Sequence, residues 1–209
     1  MPADLIHLVR HGEVHNPDGI LYGRIPGYHL SELGQQMADA AAASLAGHPV
    51  TALYASPLQR AQESAQPWSQ RFALPVVTEE RIIEPHNWFE GKSMKKAIRE
   101  PRSWPQLRNP MKPSWGEPFK DVENRMLAAV SDAWAAADSG EVVMVSHQMP
   151  IVMVARSVKG MRLPHDPRKR RCTLSSITTL RREGDHFVEV GYAEPAAALL
   201  EHAADFGAV

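Results

Sequence analysis

The sequence predicts an α/β fold with a mainly parallel central sheet and helices on both faces. Short apolar runs, typical of buried strands, alternate with longer stretches at helical spacing, which is the pattern of a parallel sheet covered by helices. Polar and charged residues directly follow three of the predicted strands. The length of 209 residues, 44% of them hydrophobic, favours a single domain over 1–209 rather than two small ones.

The first half of the chain is predicted to contain two helices between its strands. Ser31 is expected to cap a helix that runs through an alanine-rich stretch to about Ala46, because serine is a favoured N-cap and alanine has a high helix propensity. Ser56, Pro57 and Gln59 predict a second helix start, with a serine cap, a proline at the first helical position and a glutamine three residues after the cap. The strands predicted in this half are 5–9, 51–55 and 75–80.

The second half begins with a long irregular stretch over about 85–118 that is rich in proline and tryptophan. It is predicted to be a loop-rich cap over the active-site edge, because long irregular segments in compact domains are often functional. An irregular surface stretch held by its tryptophans is the alternative. The remaining predictions are a helix over 119–137, a strand over 141–145, a helix over 151–158, a C-terminal hairpin over about 175–192 and a peripheral tail over 193–209.

Histidine and arginine side chains follow the predicted parallel strands. The first strand ends at Arg10 and His11, the second is followed by Arg60 in the next helix, and a later strand is followed by His147. Ligands of such sheets bind at the carboxyl ends of the strands, so these side chains are expected to lie together. Arginine matches phosphate oxygens with a rigid fork of donors, and neutral histidine is a competent nucleophile. The sequence therefore predicts a site for a phosphoryl group.

These residues belong to a longer series of motifs, and the series resembles the histidine phosphatase superfamily, also called the phosphoglycerate mutase-like fold. The resemblance extends from residue 5 to about residue 158, and the continuation Val14-His15-Asn16-Pro17 is similar to an actinobacterial branch. The motifs are, in family order, Arg10-His11-Gly12-Glu13; Leu30-Ser31-Glu32-Leu33-Gly34; Ser56-Pro57-Leu58-Gln59-Arg60-Ala61; Glu84 with Glu90-Gly91; Gly116-Glu117 with Asp121 and Arg125; and Ser146-His147.

The resemblance implies a role for each of five residues. His11 would attack phosphorus and become phosphohistidine, while Arg10, Arg60 and His147 would hold the phosphoryl oxygens. Glu84 would protonate the leaving oxygen and then act as base for the incoming water. Phosphoryl transfer depends mainly on positioning and charge stabilisation, which these groups can supply without a metal or other cofactor.

Four further residues are candidates for the site. Asn16 lies one residue earlier than the family asparagine, and Gln148 replaces the glycine that usually follows the second histidine. Arg24, in the loop after the nucleophile, is a candidate for substrate binding, with a structural role as the equal alternative. Glu90 is the alternative to Glu84 as general acid.

Three functions are compatible with these residues. The first is a metal-independent phosphatase that hydrolyses a small phosphorylated metabolite through phosphohistidine. The second is a phosphoglycerate-type mutase, although the segment 94–115 does not resemble the insertion that binds the carboxylate in such mutases. The third is a catalytically inactive domain that binds phosphorylated ligands or a protein. It is disfavoured because none of His11, Arg10, Arg60 and His147 is lost.

The composition indicates which binding partners and which cellular compartment to expect. A net charge of -1 gives no general attraction to nucleic acid or to an anionic membrane. The lone Cys172 excludes an internal disulfide and fits a reducing compartment. No apolar stretch has the length of a membrane span and no secretory signal is recognised, so a cytoplasmic protein is expected. The oligomeric state, monomer or homodimer, is left open.

No metal site is expected. His11 and His15 have the spacing of helical zinc ligands, but Gly12 and the preceding strand argue against a helix there, and the other histidines show no ligand-like cluster. The basic run Arg168-Lys169-Arg170-Arg171 is interpreted as a solvated loop, with a rim that attracts an anionic substrate as the alternative.

Overall fold

The computed structural model describes residues 2–93, 97, 99–107 and 115–205. Its central sheet has six strands in the order β3-β2-β4-β1-β5-β6. The first four strands pair in parallel, and β5 and β6 continue the sheet as an antiparallel hairpin. The strands are β1 Leu5–Arg10, β2 Val50–Ala55, β3 Val76–Thr78, β4 Glu141–Ser146, β5 Ile177–Glu183 and β6 His186–Ala193. The predicted mainly parallel sheet is therefore confirmed.

Helices cover both faces of this sheet, as predicted. Short 3₁₀ helices at Glu80–Ile82, Pro101–Leu107, Pro167–Lys169 and Ala197–His202 lie in the connections and the tail. The α-helices are α1 Glu32–Ser44, α2 Gln59–Phe72, α3 Phe119–Ala136 and α4 Gln148–Val158.

The alternation of side chains along β4 divides the core between the two faces. Val142 and Met144 pack with residues of α3 and α4, whereas Val143 and Val145 pack with residues of α1 and α2. All four side chains are fully buried, which is why this central strand is apolar at every position between its polar ends. Burying each one stabilises the fold by roughly 1.5–3 kcal/mol relative to exposure, and the packing fixes the sheet edge where β1 and β4 end.

The two predicted helix starts have different outcomes. Ser31 caps α1 through its Oγ, which accepts a hydrogen bond from the Gly34 N–H, as expected. The prediction that Ser56 caps α2 is wrong, since α2 begins at Gln59 and has no side-chain cap. The Ser56 oxygen accepts from the Leu58 N–H ahead of the helix at 3.5 Å. Its shorter contact is tertiary, because the hydroxyl lies 2.7 Å from Nε2 of His147.

Two other predictions need correction. The third strand is shorter than 75–80, because a 3₁₀ turn begins at Glu80. The described part of the tail is not peripheral: Ala196 is buried with Met37 and Leu174, and Leu199 packs against the same cluster. Part of the predicted cap, residues 94–96, 98 and 108–114, lies outside the described residues. Among the residues that are described, no helix is both long and apolar enough to cross a membrane.

Candidate active site

The ends of β1 and β4 bring two histidine rings together. Arg10 ends β1 and His11 follows it, and Arg10 is in register with Ser146, the residue before His147. The ring centroids of His11 and His147 are 5.2 Å apart. Arg60, from the first turn of α2, donates through Nε to Nε2 of His11 at 3.3 Å. The structure thus brings together the four residues that the strand ends had indicated.

Hydrogen bonding selects one neutral tautomer of His11. Its Nδ1 lies 2.7 Å from the Gly12 carbonyl oxygen and must carry the proton, because a carbonyl can only accept. Nε2 is then unprotonated and accepts from Arg60. Burial, together with the charges of Arg60 and Arg10, holds the pKa of His11 well below its ordinary value. The side chain therefore presents a lone pair on Nε2 at neutral pH, as a nucleophile requires.

The same edge needs glycine at Gly12. A Cβ atom there would lie 2.2 Å from the carbonyl oxygen of Gly34, and a Cβ at Gly34 would lie 2.0 Å from the carbonyl oxygen of Glu13. The loop after β1 and the start of α1 therefore approach backbone to backbone. This close approach explains both glycines and fixes the main-chain carbonyl that selects the His11 tautomer.

His147 is held from one side. Its Nε2 is 2.7 Å from the Ser56 hydroxyl, while Nδ1 is buried without a hydrogen-bond partner among the described residues. Burial, with the charge of Arg60 and the neighbouring His11, keeps the pKa of His147 well below its ordinary value. Ser56 is a residue that sequence reasoning assigned to a helix cap and not to the site.

Arg60 is buried beneath a tyrosine. Its guanidinium lies 4.8 Å from the ring centroid of Tyr22, and Nη2 donates to the Gly23 carbonyl at 2.8 Å. A desolvated cation over an aromatic face is stabilised electrostatically and is held in one orientation. Tyr22 was missed in the sequence because its only local signal is one aromatic residue in a glycine-rich loop.

Glu84 is a buried carboxyl group with a raised pKa. Burial raises the pKa to about 7, and the charges of Arg60 and Arg170 oppose that rise. Its Oε2 has no hydrogen-bond partner in the described part of the chain, and Arg24 Nε donates to its main-chain carbonyl at 2.5 Å. The residue borders a cleft that is also lined by Leu21, Trp115, Glu117, Phe119 and Met149. A carboxyl group with this pKa can donate or accept a proton near neutral pH.

Glu90 has a different environment. Its Oε1 accepts the main-chain N–H of Asn87 at 3.0 Å and lies 3.7 Å from Nδ1 of His86. These contacts use the carboxylate to hold the loop that carries it. The geometry thus favours Glu84 over Glu90 as the proton donor.

The three other candidates make mainly structural contacts. The amide of Asn16 bonds both backbone groups of Ile20, in its own loop. Arg24 bonds the Glu84 carbonyl and approaches Glu117 at 3.5 Å. Gln148 accepts from Arg170 at 3.1 Å and donates to the Cys172 carbonyl at 3.3 Å. None of these contacts places the side chain against His11, so their binding of substrate stays a prediction.

The basic run disperses in the structure. Arg168 pairs with Asp166, and Arg171 pairs with Glu189. Arg170 turns inward, bonds Gln148 and is close enough to Glu84 to affect its pKa. Arg168, Lys169 and Arg171 are exposed, as a solvated loop predicts. Arg170 is the exception, since it alone of the four contributes charge near Glu84.

A second histidine cluster lies at the opposite edge of the sheet, so the expectation of no further ligand-like cluster was wrong. Ligand atoms of His7, His48 and Glu141 all lie within 4.8 Å of one another. Glu141 Oε2 is 2.8 Å from His7 Nε2 and 2.9 Å from His48 Nδ1, and His7 Nδ1 is 3.0 Å from the Thr179 hydroxyl. Ligands around zinc, with bonds of about 2.0–2.1 Å, would be farther apart. Ordinary hydrogen bonds account for this arrangement.

The raised pKa of Glu84 predicts a pH-dependent stability gain for Glu84→Gln. Because the folded-state pKa of about 7 exceeds the ordinary 4.5, stability from the protonated form is lost as pH rises from 4.5 through 7. At pH 8 the ionised carboxylate should cost about 3 kcal/mol, which glutamine avoids. Urea unfolding of both proteins at several pH values should show the difference widening toward pH 8. An identical pH dependence would contradict the prediction, and Glu201→Gln on the exposed tail is the control.

Comparison with known proteins agrees with this fold. A sequence profile of the histidine phosphatase superfamily (branch 1) matches residues 6–195. The chain belongs to the histidine phosphatase superfamily, as the motifs indicated.

Three proteins with similar sequences or structures are informative for comparison. The uncharacterized protein Rv0525 of Mycobacterium tuberculosis is 51% identical over 201 residues, which cover 94% of this chain and 100% of that protein. Phosphoserine phosphatase 1 of Hydrogenobacter thermophilus is 30% identical over 75% of this chain and 76% of its own length. The structure of mycobacterial glucosyl-3-phosphoglycerate phosphatase Rv2419c aligns with a TM-score of 0.69 at 24% identity, over 85% of this chain and 89% of that one.

These relatives have two consequences. The family and its phosphatase members identify the chain as an enzyme, a phosphatase. The mycobacterial relative is consistent with the actinobacterial branch that the sequence suggested.

Proposed function

We propose that the protein hydrolyses a small phosphorylated metabolite through a phosphohistidine on His11, without a metal. The observation that carries the proposal is the state of His11: buried, neutral, protonated on Nδ1, and flanked at Nε2 by Arg60. A nucleophile with its lone pair beside a guanidinium is suited to attack an anionic phosphoryl group, since the cation offsets the charge that repels attack.

The first displacement forms an N–P bond and breaks a P–O bond. When substrate binds, the Arg60 Nε–H leaves His11 Nε2 for a phosphoryl oxygen, which frees the Nε2 lone pair. That lone pair attacks phosphorus while Arg10, Arg60 and His147 bind the equatorial oxygens. The electron pair of the breaking P–O bond goes to the leaving oxygen, which takes the proton of Glu84. The raised pKa of Glu84 supports this role, because a substantial fraction of the carboxyl group is still protonated near neutral pH.

The second displacement reverses these roles. Glu84, now a carboxylate, takes a proton from water, whose oxygen attacks phosphorus. The N–P electron pair returns to Nε2, and inorganic phosphate leaves. One carboxyl group can serve both half-reactions because its pKa of about 7 lies near the working pH.

The substrate class rests on the relatives and on the cleft beside Glu84. The relatives' names point to phosphorylated amino acids and phosphorylated glycerate derivatives. The cleft combines apolar residues such as Leu21 and Phe119 with Glu117 and Asn87, a lining for a small group of mixed polarity. A small phosphorylated metabolite in the cytoplasm fits these features and the lone buried Cys172.

The test is phosphate release across a panel of phosphoserine, 3-phosphoglycerate, glucosyl-3-phosphoglycerate, sugar phosphates and nucleoside monophosphates. His11→Ala is the control for contaminating phosphatases. The proposal expects release of inorganic phosphate from at least one panel member by the wild type alone. Conversion of 3-phosphoglycerate to its isomer without net release would instead identify a mutase. Binding of phosphorylated ligands without turnover would identify an inactive binding domain.

Metal independence predicts that EDTA leaves activity unchanged while vanadate inhibits. The positive charge around phosphorus comes from two arginines, where other phosphotransferases use Mg²⁺. Vanadate adopts the five-coordinate geometry that phosphorus has in the transition state, so it should compete with substrate. Hydrolysis of p-nitrophenyl phosphate, before and after dialysis against EDTA, checks both points. Activity lost to EDTA and restored by zinc or magnesium would overturn metal independence.

A further inference from the structure

The C-terminal tail reaches the buried Arg10. Nη1 and Nη2 of Arg10 donate to the two carboxylate oxygens of Asp205 at 2.7 and 2.6 Å. Nη1 of Arg10 also donates to the Cys172 carbonyl at 2.7 Å. Arg10 is 1% exposed, so these partners replace water around its charge. Two parallel N–H bonds to one carboxylate form the most specific arrangement available to arginine, and they fix the plane of the guanidinium.

The opposite edge of Arg10 is left without a partner. A guanidinium has five N–H donors, and the three contacts to Asp205 and Cys172 leave Nε–H and the second N–H of Nη2. Nε is buried and has no hydrogen-bond partner among the described residues. His11 follows Arg10 directly, and Arg10 is in register with Ser146, the residue before His147, so Arg10 lies beside the residues that carry both rings. A buried donor left unpaired is costly, and an anion bound between these rings would satisfy it.

We propose that Asp205 is a positioning residue: it holds the far end of the Arg10 guanidinium so that the Nε edge faces the phosphoryl group. The inference rests on the proposed function, since it assumes that Arg10 binds the transferred group. Asp205 would act through Arg10 and would not touch the substrate. A misplacement of about 1 Å in such a group can cost about 10²-fold in rate.

The tail is anchored to the elements that build the site. The main-chain N–H of Ala204 donates to Glu13 Oε1 at 2.6 Å, and Oε2 of Glu13 accepts from the Ser31 hydroxyl at 2.5 Å. Leu200 and Ala203 pack against the cluster that contains Met37 of α1. Asp205 is therefore delivered to Arg10 by a docked segment tied to the loop after β1 and to the first turn of α1.

The opposing hypothesis is that Asp205 competes with phosphate for Arg10. Both hypotheses include the Arg10–Asp205 ion pair, but they predict opposite effects of removing the Asp205 carboxylate. A positioning residue should leave a less ordered Arg10 that binds anions more weakly and stabilises the transition state less. A competing carboxylate should, once removed, release Arg10 and make phosphate bind more tightly.

The experiment compares Asp205→Ala, Asp205→Asn and Asp205→Glu with Glu201→Ala, an exposed acidic residue of the same tail. Vanadate inhibition, kcat and KM for p-nitrophenyl phosphate are measured, and inorganic phosphate binding is measured by calorimetry. We expect Asp205→Ala to lower kcat by about 10- to 100-fold and to weaken phosphate and vanadate binding. Asp205→Asn, which keeps one acceptor, should be intermediate, Asp205→Glu should recover part of the loss, and Glu201→Ala should match the wild type.

Two outcomes overturn the inference: Asp205 variants that fold and match the wild type in kcat and vanadate inhibition, or variants that bind phosphate more tightly. Circular dichroism identifies an alanine variant that fails to fold, and the near-isosteric asparagine variant then decides. Failure of the proposed function is separate, because it would appear as a wild type without turnover. Phosphate binding by the variants would still test the contact in that case.

Discussion

Replacing His11 with alanine is expected to lower phosphate release by roughly 10⁴-fold or more. The imidazole is the only protein group in the proposed mechanism that bonds to phosphorus, and its Nε2 lone pair is set by the bond from Nδ1 to the Gly12 carbonyl. Arg60 and His147 would still bind phosphate in the variant, so KM should change far less than kcat. Steady-state kinetics with p-nitrophenyl phosphate separate these two effects. His186→Ala, on the exposed β5–β6 hairpin, is the matched control.

Trapping the phosphoryl group on the wild type, with His11→Ala as the control, tests the intermediate directly. Rapid acid-free denaturation of wild type mixed with ³²P-labelled substrate should trap a phosphoryl group that is labile in acid and stable in base, as an N–P bond is. Peptide mapping should place it on His11, and His11→Ala should trap none. Near wild-type turnover by His11→Ala, or label on serine or aspartate, would disprove phosphohistidine as the intermediate.

The histidine and arginine cluster of the candidate site was predictable because local rules govern it. Arg10 ends one buried strand, His11 follows it, and His147 follows its parallel neighbour, so their convergence needs only the rule that such strands end at one edge. The Ser31 cap was predictable in the same way, since an N-cap bond spans three residues.

Other features depend on contacts that no local rule contains. Ser56 has the sequence signature of a cap, but a partner 91 residues away, His147, takes its hydroxyl. Asp205 is 195 residues from Arg10 and lies in a tail that was predicted to be peripheral. The raised pKa of Glu84 likewise depends on burial by segments distant in sequence. Sequence reasoning therefore found the candidate residues that lie in recognisable motifs and missed Ser56, Tyr22 and Asp205, whose contacts depend on tertiary packing.

Glu84→Gln is expected to slow the hydrolysis of alkyl phosphates far more than that of aryl phosphates. An alkoxide is a poor leaving group and needs a proton as the P–O bond breaks, whereas p-nitrophenolate leaves with little help. Removing a positioned acid should cost about 10²–10⁴-fold on an alkyl substrate. With wild type, activity toward alkyl phosphates should also fall as pH rises above about 7, where Glu84 loses its proton.

Glu90→Gln is the matched control, because Glu90 is the other carboxylate of the same loop region and the one that sequence alone could not exclude. Its Oε1 accepts the Asn87 N–H, a contact that the amide oxygen of glutamine can also make. We therefore expect Glu90→Gln to keep the wild-type ratio of alkyl to aryl hydrolysis, even where loop changes lower both rates together.

The ratio of the two hydrolysis rates is more informative than either rate, because misfolding or weaker phosphate binding would lower the rates for alkyl and aryl substrates alike. Only a lost proton donor should separate them, since the phosphoryl site is the same and the leaving groups differ. The buried Oε2 of Glu84, unpaired in the described structure, is free to meet a leaving oxygen, whereas Glu90 is bonded within its loop. If Glu90→Gln shifts the ratio and Glu84→Gln leaves it unchanged, the proton comes from Glu90, and the raised pKa of Glu84 reflects burial alone.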